Sequence, residues 1–142
     1  MNKSENLLED FKVNVRIKLS ALWTSVMFCY IYGDYFELYV PKKVEGLLYG
    51  NNLLDSPTKL FAATFMLTTP ALMIFLSLIL RPKISRLLNI ILGTFFTLLM
   101  LLIAVSSLTQ WRTFYVFLAV VESVITSLII WLAWTWEKKS SI

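Results

Sequence analysis

The run FYVFLAVVESVITSLIIWLAWTW, Phe114–Trp136, decides how this chain is read. As a helix rising about 1.5 Å per residue it is long enough to cross a bilayer core of about 30 Å. Its one charged residue, Glu122, lies about eight residues inside, on the order of 12 Å below the nearer boundary. Three further stretches are also long and apolar: Ile17–Val40, Leu60–Leu80 and Leu87–Leu108. The expected architecture is an all-α membrane four-helix bundle with four transmembrane helices. Residues 1–16 read as a cytoplasmic amphipathic lead-in, 17–136 as the transmembrane domain and 137–142 as a cytoplasmic tail. The spans fall at about 17–40, 60–80, 87–108 and 114–136.

Composition agrees with this reading. Apolar residues make up 58% of the 142 residues and charged ones 15%, whereas soluble domains carry about 25% charged residues. The first apolar run exceeds a signal-peptide core, contains Asp34 and lacks a small-x-small cleavage site, so the first helix is expected to stay in the mature protein. The chain has no histidine and a single cysteine, Cys29. Histidine-ligated metals and haem, His-based triads, intrachain disulfides and C-x-x-C redox pairs are thereby excluded. No glycine-rich phosphate-binding motif occurs, and no cofactor is expected. Basic residues gather at helix ends rather than in a stripe, so the net charge of +4 signals no nucleic-acid partner.

Charge asymmetry sets the orientation. Lys3, Lys12, Arg16 and Lys18, then Arg81, Lys83 and Arg86, then Lys138 and Lys139, share one side, against Lys42, Lys43, Lys59 and Arg112 on the other. The positive-inside bias places both termini in the cytoplasm. Trp131, Trp134 and Trp136 at one boundary, and Tyr39, Tyr49 and Trp111 at the other, fit interfacial belts. The connection from Pro41 to Pro57 is apolar for a loop and is expected to rest in the interface or fold over the mouth of the bundle. Ser56–Pro57 predicts a capped helix start.

Polar residues inside the spans carry the functional expectation. An ionised carboxylate in mid-membrane costs a few kcal/mol, so Glu122 should meet a partner, a cavity or a proton. Ser123 and Thr126 beside it suggest an interhelical seam, and a purely structural glutamic acid holding helices together is the competing reading. On the first helix Trp23, Met27, Tyr30, Asp34 and Glu37 follow 4-3-4-3 spacing, which places them near one face. Tyr30, Asp34 and Glu37 are candidates to meet Glu122 in an acidic vestibule, although Asp34 is shallow enough to be a solvated rim acid. The candidate ligand- or ion-binding set is Glu122, Asp34, Tyr30, Glu37, Trp23 and Thr126. Arg112 can pair with Asp34 or Glu37. Thr68-Thr69-Pro70 should kink the second span, and Asn89, Gly93, Thr97 and Ala104 should allow close approach of the third.

The stretch Tyr30-Ile-Tyr-Gly-Asp-Tyr-Phe-Glu-Leu-Tyr-Val-Pro-Lys-Lys-Val-Glu-Gly46, with Thr69–Ser77 and Leu88–Gly93, resembles an uncharacterised family of small four-helix membrane proteins found in bacteria. The resemblance implies a four-span bacterial inner-membrane protein and no activity. On architecture alone the chain is also similar to small four-helix membrane proteins related to quinone-pathway subunits, a likeness that transfers no function.

Two roles follow from the residues. The first is a membrane protein handling a small cation, a proton or an apolar small molecule at the acidic site, as a transporter or channel oligomer. The second is an accessory or assembly subunit whose polar seam binds another membrane protein. An enzyme is the least favoured, since acid–base work would fall to Asp, Glu and Tyr alone.

Overall fold

The computed structural model describes residues 11–137; the lead-in before Phe11 and the tail after Glu137 lie outside the described residues. Four long helices dominate: α1 (Val15–Glu37), α3 (Pro57–Ile79), α4 (Pro82–Ser106) and α5 (Thr113–Trp134). A short α2 (Lys43–Leu48) follows α1, and a single 3-10 turn, Gln110–Arg112, leads into α5. No strand occurs among the described residues.

Local chemistry sets the helix starts. Asn14 is extended and its side chain accepts the Arg16 N–H at 2.9 Å, which caps α1. Ser56 likewise accepts the Lys59 N–H at 3.3 Å, with Pro57 at the first helical position of α3. Pro82 begins α4, so the basic connection is mostly the first turns of a helix rather than a loop before Leu87. At the other ends of α3 and α5, arginines satisfy late carbonyls. Arg16 Nη1 donates to the Leu78 carbonyl at 2.9 Å, and Arg86 Nη2 to that of Trp134 at 3.0 Å. A cation there also complements the negative end of the helix dipole.

α3 runs unbroken through Pro70, and the hydroxyls of Thr68 and Thr69 donate to the carbonyls of Thr64 and Phe65. Neither reaches Met66, whose carbonyl loses its helical donor to the proline. The loop's Leu47, Leu48, Tyr49 and Leu53 are exposed, and α2 buries nothing, so this segment does not fold over the helix ends.

Polarity is inverted relative to a soluble protein. Phe61, Phe65, Leu102, Val105 and Phe117 face outward, whereas Ser77, Ser85, Asn89, Glu122 and Thr126 are buried. Such an exterior suits an apolar solvent. Helices α3 and α4, and α5 with its leading turn, are long and apolar enough to cross a membrane. The expectation of four such helices is therefore corrected to three. α1 has the length, but Arg16 and Lys18 at one end, Asp34 and Glu37 at the other, and Ser20, Thr24 and Ser25 between them dilute its apolar character.

The four long helices nevertheless share one core. Leu19, Trp23 and Val26 of α1 meet Met73 of α3, Phe96 of α4, and Ile129 and Ala133 of α5. α1 sits between α3 and α5, and α4 packs along α5 and returns to α3 where the two helices are joined. Gly93 permits the close α4–α5 approach. A Cβ there would lie 2.9 Å from Ile130 Cγ1 and 3.4 Å from the Thr126 carbonyl.

Candidate functional site

Glu122 projects from α5 into the protein. Its residue exposure is 3%, and its carboxyl oxygen Oε2 is buried without a hydrogen-bond partner among the described residues. On the facing helix α1 the hydroxyl of Tyr30 is in the same condition. Both line one crevice, together with Gly33 of α1, Met100 of α4, and Tyr115, Leu118 and Ala119 of α5. Its volume is about 10 Å³, at the threshold for admitting one water-sized guest. Gly33 keeps the seam narrow: a Cβ there would sit 3.5 Å from Leu118 Cδ1 and 3.6 Å from Tyr115.

A charged clamp lies one helical turn beyond Gly33 and Tyr115. Glu37 Oε1 accepts from Lys43 Nζ at 3.0 Å and from Arg112 Nη2 at 2.9 Å. One carboxylate thereby ties the end of α1 to the start of α2 and to the turn before α5. The expected pairing of Arg112 resolves onto Glu37, with Lys43 as a second cation. Glu37 Oε2 is buried and unbonded among the described residues. Asp34 is exposed and lies beside the crevice rather than in its lining. At about 100° per residue, four positions rotate Asp34 by about 40° from Tyr30.

The remaining candidates occupy different polar knots. Trp23 Nε1 donates to Asn89 Oδ1 at 2.8 Å. Asn89 Nδ2 donates to the Ser85 carbonyl at 2.8 Å and to Ser77 Oγ at 3.3 Å, joining α1, α3 and α4. Thr97 Oγ1 donates to Thr126 Oγ1 at 2.7 Å, and Thr126 donates to the backbone carbonyl of Glu122 at 2.9 Å, joining α4 to α5. Ser123 donates to the Ala119 carbonyl at 2.7 Å. The structure therefore brings Tyr30 together with Glu122, holds Glu37 above them, and leaves Trp23 and Thr126 outside the crevice.

Sequence reasoning missed Gly33, Met100, Tyr115 and Leu118 as lining residues, whereas Ala119 reads from the sequence as a helix-face neighbour of Glu122. Leu118 and Tyr115 were within reach, because they precede Glu122 by four and seven positions, one helical face. Met100 carries no sequence signal of its own, since only the α4–α5 packing brings it there.

Three helices long and apolar enough to cross a membrane, with an apolar exterior, mark a membrane protein, and within it the acid of Glu122 faces inward. The chain belongs to the family described as "Family of unknown function (DUF6326)", whose model matches residues 7–142. No curated protein and no solved structure matches it.

Proposed function

We propose that this protein handles a small cation or a proton through Glu122, as a transporter or channel. The observation that carries the reading is the carboxyl of Glu122, buried among helices yet facing a crevice with one oxygen unbonded. Ionisable groups inside membrane spans are costly and mark pathways for ions and protons. The crevice is too small for an organic or apolar ligand, which narrows the original range to water-sized species. In this reading α1 crosses the bilayer with the other three helices, its 23 residues spanning about 34 Å. Both termini then lie in the cytoplasm by the positive-inside bias. Four helices enclose little volume, so a second copy completes the path.

The accessory-subunit reading needs a polar seam open to a partner. Ser123 and Thr126, its intended contacts, are buried and bonded to carbonyls of their own helix, so ion handling is preferred. Liposomes containing the purified chain test it: an imposed ion or pH gradient dissipates through the wild type and not through Glu122→Gln. Equal leakage from wild type, variant and empty vesicles removes the proposal.

A further inference from the structure

We infer that the crevice between Tyr30 and Glu122 is a single-proton site, loaded on the Glu122 carboxylate with the Tyr30 hydroxyl as its hydrogen-bonding counterpart. The inference rests on the ion-handling reading and names the species.

Three observations converge. Tyr30 of α1 and Glu122 of α5, each with a buried oxygen that has no partner among the described residues, line the same space. They are not bonded to each other, and the space between the helices holds no more than one water-sized guest. Such a guest can hydrogen-bond to both. A metal cation demands more: hard cations take about six or more oxygen ligands. The lining supplies one carboxylate and two phenols, the rest being Gly33, Met100, Leu118 and Ala119. Among the described residues no group of three His, Cys, Asp or Glu side chains gathers to hold a metal. A proton needs no such shell.

The partner chemistry fits both states of the acid. A phenol both donates and accepts, so Tyr30 can donate towards an ionised Glu122 and accept from a protonated one. In loading, a hydronium gives its proton to the carboxylate, forming the neutral acid and one water molecule; unloading is the reverse. Overall charge and atoms are conserved in both directions. The titratable and charged neighbours are few. α1 presents Cys29, Tyr30, Asp34 and Glu37; α5 presents Tyr115; the clamp adds Arg112 from the turn before α5 and Lys43 from α2; α4 contributes only Met100 to the lining. Asp34 stands on the exposed side of α1, one turn beyond Tyr30 and outside the lining.

The experiment pairs two measurements on the full chain in lipid vesicles. Infrared difference spectra recorded across a pH titration report the C=O stretch of protonated carboxyl groups. We expect a titrating band that disappears in Glu122→Gln and moves to higher frequency in Tyr30→Phe, which keeps the ring but removes the hydroxyl to which a bridging guest bonds. Vesicle flux is then measured with a pH-sensitive dye in sodium- and potassium-free buffer, and separately with labelled sodium at equal pH on both sides. Proton flux lost in Glu122→Gln, with no sodium flux, supports the inference. Sodium flux that needs Glu122, without a titrating band, overturns the proton site and leaves the ion-handling reading intact. A titrating Glu122 band that shifts in Tyr30→Phe, with no flux of either ion, keeps the proton site and overturns transport. Absence of band and flux from correctly folded protein, judged by unchanged helical circular dichroism, overturns both.

Discussion

The indole N–H of Trp23 donates to Asn89 Oδ1 at 2.8 Å, so a residue of α1 and a residue of α4 meet at a buried polar knot away from the Glu122 crevice. Both side chains are fully buried. The knot uses the amide completely: its oxygen takes the indole, and its nitrogen serves the Ser85 carbonyl and Ser77 hydroxyl. Replacing Asn89 by leucine strands the indole N–H and loosens the α3–α4 turn. The expected destabilisation is about 2 kcal/mol, read from the midpoint of denaturant unfolding in detergent micelles. Trp23→Phe should cost less, since Ser77 Oγ lies 3.4 Å from the freed Asn89 Oδ1 and can donate to it in place of the indole. Unchanged stability of Asn89→Leu would show that the knot contributes nothing.

Gly93 tests the α4–α5 packing. A valine at this position must push against Ile130 and the Thr126 carbonyl, where a Cβ already approaches to 2.9 and 3.4 Å. Overpacking of this kind costs about 1–3 kcal/mol. Gly93→Ala should cost less than Gly93→Val, because Ile130 Cγ1 belongs to a side chain that can shift. Thermal unfolding followed by circular dichroism ranks the two.

The arginine caps make a third expectation. Arg86→Ala frees the Trp134 carbonyl at the end of α5, and a late-helix cation is worth about 0.3–1 kcal/mol. Hydrogen exchange should therefore quicken in the last turn of α5 and stay unchanged around Glu122. Exchange that rises evenly along α5 would mean that the side chain acts through overall stability and not as a cap.

Clamp and site are separable. Arg112→Met leaves Glu37 with Lys43 alone. Because Arg112 is partly exposed, the expected loss of stability is small, about 1 kcal/mol or less. The α1–α5 seam should open more readily at its loop end. A water-soluble thiol reagent should then label cysteine at position 33 faster, in a Cys29→Ser background, with Arg112→Met than without it.

Helix positions were readable because membrane crossing demands long apolar runs, and caps such as Ser56–Pro57 mark themselves. The weaker apolar character of α1 comes in part from Asp34 and Glu37, two members of the face formed by Trp23, Met27, Tyr30, Asp34 and Glu37 that had suggested a function. That face divides in three dimensions. Trp23 goes to Asn89, Tyr30 to the crevice, Asp34 to the exposed side and Glu37 to the clamp. Spacing along one helix tells which residues share a side, but not which neighbour each will meet. Tyr115 shares a face with Glu122 by its spacing alone, whereas Met100 joins them only through the α4–α5 contact. Thr126 was expected in an interhelical seam beside the acid, and its partners there are Thr97 of α4 and its own backbone.

Carbodiimide labelling located by peptide mass spectrometry tests the central claim most directly, because it asks whether the acid of α5 is sheltered and yet protonatable. An apolar carbodiimide, which reacts with protonated carboxyl groups, should modify Glu122 in membranes, while a water-soluble, membrane-impermeant one should modify Asp34 and spare Glu122. Modification of Glu122 by the water-soluble reagent as fast as Asp34, or failure of the apolar reagent to reach it at any pH, would contradict the account.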